Sequence, residues 1–304
     1  MKQTFYSNGK LLITGEYVVL DGAQAFALPT KFGQNLIVEK SESENTFQWT
    51  SFDSDNSIWF ESEFSFEDVF QKSEFEDSKI KTTLIEILHH AHLLNPEFLK
   101  NGTGFKITTQ LTFPKFWGLG TSSTLINNIA QWLEIDAFTL LKNSFGGSGY
   151  DIACAQNNSP IIYQLINEVP KITPVLFNPD FNDKIYFVYL NQKQSSKTAI
   201  SNYYNKQANI QKVIPVIDKI TNTVIHATEP KTFAQALQQH EIEMSNVLES
   251  ETVKEVLFTD FKGVIKSLGA WGGDFVLAIS TEDPTAYFKE KGYKVIIPYK
   301  EMIL

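Results

Sequence analysis

Eight of the sixteen glycines stand in three short windows, residues 114–123, 146–151 and 269–274. Glycine loses more conformational freedom on folding than any other residue. A chain therefore concentrates it where the backbone must take positive φ or let another group come close. Three such clusters in one chain predict loops built to touch a ligand, and polyphosphate is the ligand that backbone N–H groups hold best.

The remaining composition sets bounds. At 304 residues, 42% hydrophobic and 20% charged, the chain has material for a full core and predicts two lobes. The first ten residues contain no apolar signal region, and no stretch nears the ~20 apolar residues of a membrane span. The expectation is a cytoplasmic protein without a membrane partner. Cys154 is the single cysteine, so no intrachain disulfide forms and a reducing compartment suits the chain. The net charge of -9 argues against nucleic acid. Between residues 41 and 78 stand eleven Asp/Glu and only Lys72. The rest of the chain is near neutral and free to form a local basic pocket for an anionic substrate. In the acidic segment Phe47, Trp49, Phe52, Trp59, Phe60, Phe64 and Phe66 interleave with polar residues, as half-buried strands do. Its outer face is either a solvated hairpin or a docking surface.

Strand patterns are expected over 10–20 with a break at Gly15-Glu16, then over 34–39, 105–111, 160–165, 185–190, 275–279 and 293–297. Helical patterns cover 82–94, the apolar period Leu125, Ile129, Trp132, Leu133, and the stretches 201–225 and 233–248. Gly118-Leu119-Gly120-Thr121-Ser122-Ser123 feeds a helix start. Amides at a helix start lack intrahelical partners, and the helix dipole adds partial positive charge. Glycines let a phosphate approach, and hydroxyls reach it or a magnesium ion. The loop is not a Walker A loop, which needs Lys-Ser/Thr after the second glycine, nor a dinucleotide fingerprint, which wants glycine where Ser123 stands. A helix capped by Thr121 or Ser122 reads the same way. His89, His90 and His92 share a helix but lack a carboxylate at metalloprotease spacing, and His240 beside Glu241 reads as polar packing.

Four segments in order carry a wider pattern. They are 7–17 (SNGKLLITGEY), 114–123 (PKFWGLGTSS), 147–153 (GSGYDIA) and 266–274 (KSLGAWGGD). Together they resemble the GHMP kinases, the family of galactokinase, homoserine kinase, mevalonate kinase and phosphomevalonate kinase. The first resembles their Pro-Gly-Lys…Gly-Glu, with Asn8 for the proline. The second resembles Pro-X3-Gly-Leu-Gly-Ser-Ser-Ala, with Thr121 for the first serine and Ser123 for the alanine. The third is similar to the Gly-Ser-Gly-X-Asp-Val-Ala of phosphomevalonate kinases. The last resembles Lys-X-Ser-Gly-Ala-Gly-Gly-Gly-Asp, with Trp271 where glycine is usual.

The resemblance spans nearly the whole chain and implies an α+β, two-lobed GHMP kinase fold. Its N-terminal nucleotide-binding lobe, residues 1–180, would be like ribosomal protein S5 domain 2, and its C-terminal lobe, 181–304, ferredoxin-like. It implies an ATP- and Mg2+-dependent kinase acting on a small-molecule acceptor, with mevalonate or 5-phosphomevalonate in the lead and isoprenoid precursor synthesis as the setting. Gly118, Leu119, Gly120, Thr121, Ser122 and Ser123 would bind ATP, and Ser122 would hold the metal. Asp151 would be the catalytic carboxylate and Lys10 the charge-neutralising lysine. Substrate contacts would involve Glu16, Ser148, Lys193, Lys197, Gly269, Ala270, Gly272, Gly273 and Asp274. Mevalonate kinases carry a magnesium-binding glutamate about eleven residues before the aspartate, where this chain has Leu140. Either Glu134 or Asp136 substitutes, or Ser122 and the nucleotide hold the metal alone. Trp271 narrows the acceptor pocket, stacks on a ligand, or marks a member that no longer catalyses. A sugar or homoserine kinase and a non-catalytic metabolite-binding paralogue are the alternatives, and a homodimer is left open.

Overall fold

The computed structural model describes residues 2–192, 196–205 and 209–304. By their internal contacts they form two compact units. The first comprises Met1–Gly9, Phe32–Lys115 and Leu119–Gln156, and the second Lys10–Lys31, Phe116–Gly118 and Asn157–Leu304. Residue 180, where the sequence pointed to a division, lies inside the second unit. Two long strands, β1 (Gln3–Thr14) and β2 (Ala25–Lys40), contribute residues to both units.

The first unit continues with β3 (Thr46–Phe52), β4 (Ile58–Ser65), α1 (Phe66–Phe70), α2 (Lys79–Leu94), β5 (Phe105–Leu111), α3 (Thr121–Leu133), α4 (Ala137–Ser144) and α5 (Tyr150–Gln156). Strand β3 pairs antiparallel with β4 and parallel with β5, and β5 pairs antiparallel with β2 from Gln34↔Leu111 to Lys40↔Phe105. The alternation read from the acidic segment is realised here. Phe47, Trp49 and Phe64 face the core, while Glu61 and Glu63 stay on the solvated side. Against this sheet pack α2, α3 and α4, whose Leu88, Ile126, Ile129 and Leu140 share one core with Ile107. Helix α2 starts where the Ser78 hydroxyl accepts the Lys81 N–H and ends at Asn95-Pro96.

The second unit adds β6 (Ile161–Ile166), β7 (Val169–Pro174), β8 (Ile185–Tyr189), α6 (Ser196–Tyr204), α7 (Ile210–Ile225), α8 (Pro230–Leu248), α9 (Val253–Leu257), β9 (Val264–Leu268), β10 (Phe275–Ile279), α10 (Thr285–Glu290), β11 (Ile296–Pro298) and α11 (Tyr299–Met302). The first residues of β2, Ala25–Ala27, pair antiparallel with β6, and β6 with β7. A separate antiparallel sheet runs in the order β11-β8-β10-β9. The helical stretch expected over 201–225 is two helices, α6 and α7. Among the described residues, no helix is long and apolar enough to cross a membrane.

Candidate active site

Helix α3 begins at Thr121 with Gly120 as its N-cap, and no side chain caps it. Neither Thr121 nor Ser122 acts as the cap that the sequence left open. The first helical bond runs from the Thr124 N–H to the Gly120 carbonyl at 2.9 Å, so the amides of the three preceding residues point out of the helix start. Gly118 and Gly120 both take left-handed backbone, φ 67° and 101°. That reverses the chain twice before the helix and bares its N-terminus. Leu119 between them is fully buried and pins the loop. Ser122 is exposed, whereas Ser123 is buried with its hydroxyl donating to the Gly120 carbonyl at 2.9 Å. Of the loop hydroxyls, Ser122 is the one turned outward. Such a helix start can hold a polyphosphate through amides and dipole.

In the same unit, α5 packs beside α3, with the Gln156 amide donating to the Asn127 side chain at 3.0 Å. Gly146, Gly147 and Gly149 all have positive φ, 72°, 99° and 87°, and a Cβ on Gly146 or Gly147 would meet nothing within 4 Å. Backbone conformation alone therefore requires those two glycines. The turn they make carries half-buried Ser148 and places half-buried Asp151 in the first turn of α5, where Asp151 Oδ1 accepts the Ile152 N–H at 3.1 Å. One carboxylate oxygen is thus oriented by the backbone, and a carboxylate so held can orient or accept a proton from a substrate oxygen.

In the second unit, half-buried Lys10 on β1 donates from Nζ to the Gly118 carbonyl at 3.3 Å. Gly118 also lies against Asp274, since a Cβ built there would stand 1.9 Å from Asp274 Oδ2. Lys10, Gly118 and Asp274 thus converge, a cation and a carboxylate on one glycine. Asp274 follows a tight turn in which the Gly273 N–H donates to the Ala270 carbonyl at 2.7 Å, with Gly269 and Gly272 left-handed. The Trp271 N–H donates to the Tyr17 hydroxyl at 2.8 Å, and its indole N–H to the Glu251 carbonyl at 3.0 Å. The indole is anchored on the segment between α8 and α9.

Glu16 is 4% exposed, and its carboxylate faces protein. Oε1 accepts from Lys266 Nζ at 2.6 Å, and Oε2 lies 3.3 Å from His240 Nε2. Lys266, fully buried on β9, also sits 3.2 Å from Glu241 Oε1, and Glu241 Oε2 accepts from the Ser267 hydroxyl at 2.9 Å. His240 Nε2 accepts the Gly15 N–H at 2.9 Å. Burial pushes Glu16 up to about 7, against the pull of Lys266. Burial opposes the Lys266 charge, but Glu16 and Glu241 together hold its ammonium above the ordinary lysine range. Burial, reinforced by Lys266, holds His240 well below the imidazole range. This network was not legible in the sequence. His240 and Glu241 read as packing and Lys266 as a motif position only, because the carboxylate and the cation stand 250 residues apart.

Other expected positions divide. Lys193 lies outside the described residues, and Lys197 falls in α6 with its side chain outside them. Leu140 is fully buried in the first unit's core. Asp136 caps α4, accepting from the Thr139 N–H at 2.7 Å and hydroxyl at 2.6 Å, and Glu134 is an exposed left-handed residue closing α3. Among the described residues, no group of three His, Cys, Asp or Glu could hold a metal ion. His89 is tied through Nδ1 to the Val69 carbonyl at 2.8 Å, and His92 packs between Phe70 and Phe98.

No protein-family model matches the chain, and no curated relative matches it by sequence. Solved structures do. The mevalonate kinase of Methanococcus jannaschii superposes with a TM-score of 0.69 at 16% identity, over 96% of this chain and 95% of that one. The phosphomevalonate kinase of Streptococcus pneumoniae, in complex with phosphomevalonate and AMPPNP, gives 0.69 at 15%, over 95% of both chains. A D-glycero-D-manno-heptose 1-phosphate kinase from Bacteroides thetaiotaomicron gives 0.69 at 13%, over 100% and 96%. Its mixed sheet, its second antiparallel sheet and these superpositions give the chain the two-lobed fold of the GHMP kinases.

Proposed function

We propose that this protein is an ATP- and magnesium-dependent small-molecule kinase that transfers the γ-phosphate to mevalonate or 5-phosphomevalonate. The observation that carries the reading is the open start of α3, an uncapped helix behind two left-handed glycines with Ser122 turned outward. The fold shared with nucleotide-bound and acceptor-bound kinases supports it.

Phosphoryl transfer asks a protein mainly for positioning and charge stabilisation. Residues 118–123 hold the β- and γ-phosphates, and the outward-pointing amides of 121–123 are the donors. The Ser122 hydroxyl would hold magnesium beside the nucleotide oxygens, and the ion would neutralise charge on those phosphates. Asp151 orients the acceptor oxygen and takes its proton, and Lys10 offsets charge developing between acceptor and γ-phosphate. Gly269, Ala270, Gly272, Gly273 and Asp274 face the acceptor or its phosphate, with Ser148 beside Asp151. Lys193 and Lys197 supply cations for a phosphorylated acceptor.

The heptose-phosphate kinase superposes as well as the mevalonate-pathway enzymes, which keeps a sugar acceptor as the second reading. ADP release from magnesium-ATP, measured against mevalonate, 5-phosphomevalonate, homoserine, galactose and no acceptor, separates them. Turnover with mevalonate assigns Asp151 as a base toward an alcohol, and turnover with phosphomevalonate moves weight to Lys193 and Lys197. Tight ATP binding with silence across the panel removes the mevalonate-pathway reading.

A further inference from the structure

The buried cluster in the second unit holds two carboxylates, Glu16 and Glu241, but one ammonium, Lys266. An unmatched buried charge is expensive, and groups so placed take up a proton instead. The hydrogen bonds say where that proton sits. His240 Nε2 accepts the Gly15 N–H, so this nitrogen carries a lone pair rather than a hydrogen. Glu16 Oε2 stands 3.3 Å from the same nitrogen and makes no hydrogen bond, while Oε1 is occupied by Lys266. Nε2 has one lone pair and the Gly15 N–H takes it, so an ionised Oε2 finds no donor at that nitrogen, and a hydrogen on Oε2 removes the charge that this contact leaves unmatched.

Among the described residues, the neighbouring elements bring the following titratable and charged groups. Helix α8 brings His240 and Glu241, and β9 brings Lys266. From α7 come the Thr221 hydroxyl, on Thr14 at 2.8 Å, and Asp218, which accepts the Gln24 N–H at 2.7 Å. The turn after β1 adds Asp21, which accepts from the Tyr203 hydroxyl of α6 at 2.5 Å.

We propose that Glu16 carries a proton on Oε2, the buried oxygen that no donor reaches, and that this neutral contact makes Glu16, His240 and Lys266 positioning residues for the strand end after Lys10 and for the glycine turn after β9. Glu16 lies two residues beyond β1, and Lys266 three residues before Gly269. One cluster therefore fixes both segments. The positioning half of the inference rests on the kinase reading above; the proton does not.

Burial raises the folded-state pKa of Glu16, so the proton's contribution to stability is complete below the ordinary carboxylate range and is lost as pH rises through about 7. Urea unfolding of the wild type and of Glu16→Gln, a permanently neutral isostere, at pH 5 to 8 reads this without any ligand, and the His240 contribution cancels in the comparison. The unfolding constant of the wild type relative to the variant should rise up to about tenfold per pH unit toward pH 7, then level off. Parallel curves would overturn the proposal, as would 15N spectra showing hydrogen on Nε2 of His240. ADP release adds the functional arm, with kcat declining above about pH 7 in the wild type and following a flatter profile in Glu16→Gln. Identical kcat profiles would overturn the positioning role. If no acceptor supports turnover while the unfolding curves diverge as stated, the proton stands and the kinase reading falls.

Discussion

Replacing Lys266 with methionine tests the electrostatics of the buried cluster, because methionine fills the space of the alkyl stem and removes the charged donor. Lys266 is fully buried, 2.6 Å from one carboxylate and 3.2 Å from the other, and donates to the Ser267 carbonyl at 2.5 Å. Breaking a buried ion pair by deleting one partner costs about 3–5 kcal/mol, since the other charge is left uncompensated. At pH 8 the full loss is expected. Between pH 8 and about 7, where burial places the Glu16 proton, a proton takes the place of the ammonium in the variant before the wild type binds its own, which recovers about 1.4 kcal/mol per pH unit; below that both proteins carry it. Lys266→Met should therefore lose about 3–5 kcal/mol at pH 8 and clearly less at pH 5.5. Urea unfolding followed by tryptophan fluorescence reads both values, with Trp271 reporting from the same unit. A loss below about 1 kcal/mol at pH 8, or the same loss at both pH values, would refute the reasoning.

Three further outcomes follow from the geometry. Gly118→Ala puts a Cβ at φ 67° against the Asp274 carboxylate, so binding of magnesium-ATP by calorimetry should weaken at least tenfold while the fold, read by circular dichroism, persists. Asp151→Asn keeps the shape of the turn but removes the proton acceptor, and kcat should fall by about 10²–10⁴ with the nucleotide Kd little changed. Leu140→Glu, which places a glutamate where the family resemblance implies one, buries an unpaired carboxylate in the first unit's core; thermal unfolding should show marked destabilisation, with no gain in magnesium affinity.

Much of this was legible in the sequence where the signal is local. Strands β5 and β10 fall on the residues their alternation and apolar runs indicate, and α2 ends where Asn95-Pro96 stops it. The three glycine windows mark two helix starts and the turn before β10, because positive φ is a property of one residue and leaves its mark in one residue. Strand β7 was hidden, since Pro170 and Pro174 read as turn residues and its pairing depends on β6. Strand β9 was hidden for a related reason. A lysine in a five-residue apolar strand argues against burial until Glu16 and Glu241 arrive from elsewhere in the chain. Strand β2 runs through Pro29, Lys31 and Gly33, so its 16-residue length is set by its neighbours and not by its own pattern.

The most direct measurement is transfer of label from γ-32P-ATP, with magnesium, to mevalonate and to 5-phosphomevalonate, run on the wild type and on Asp151→Asn. The account predicts a labelled acceptor with one of the two, dependent on magnesium and lowered at least a hundredfold by the substitution. Label that stays on ATP or appears only as inorganic phosphate with both acceptors, from protein that binds magnesium-ATP, would contradict it.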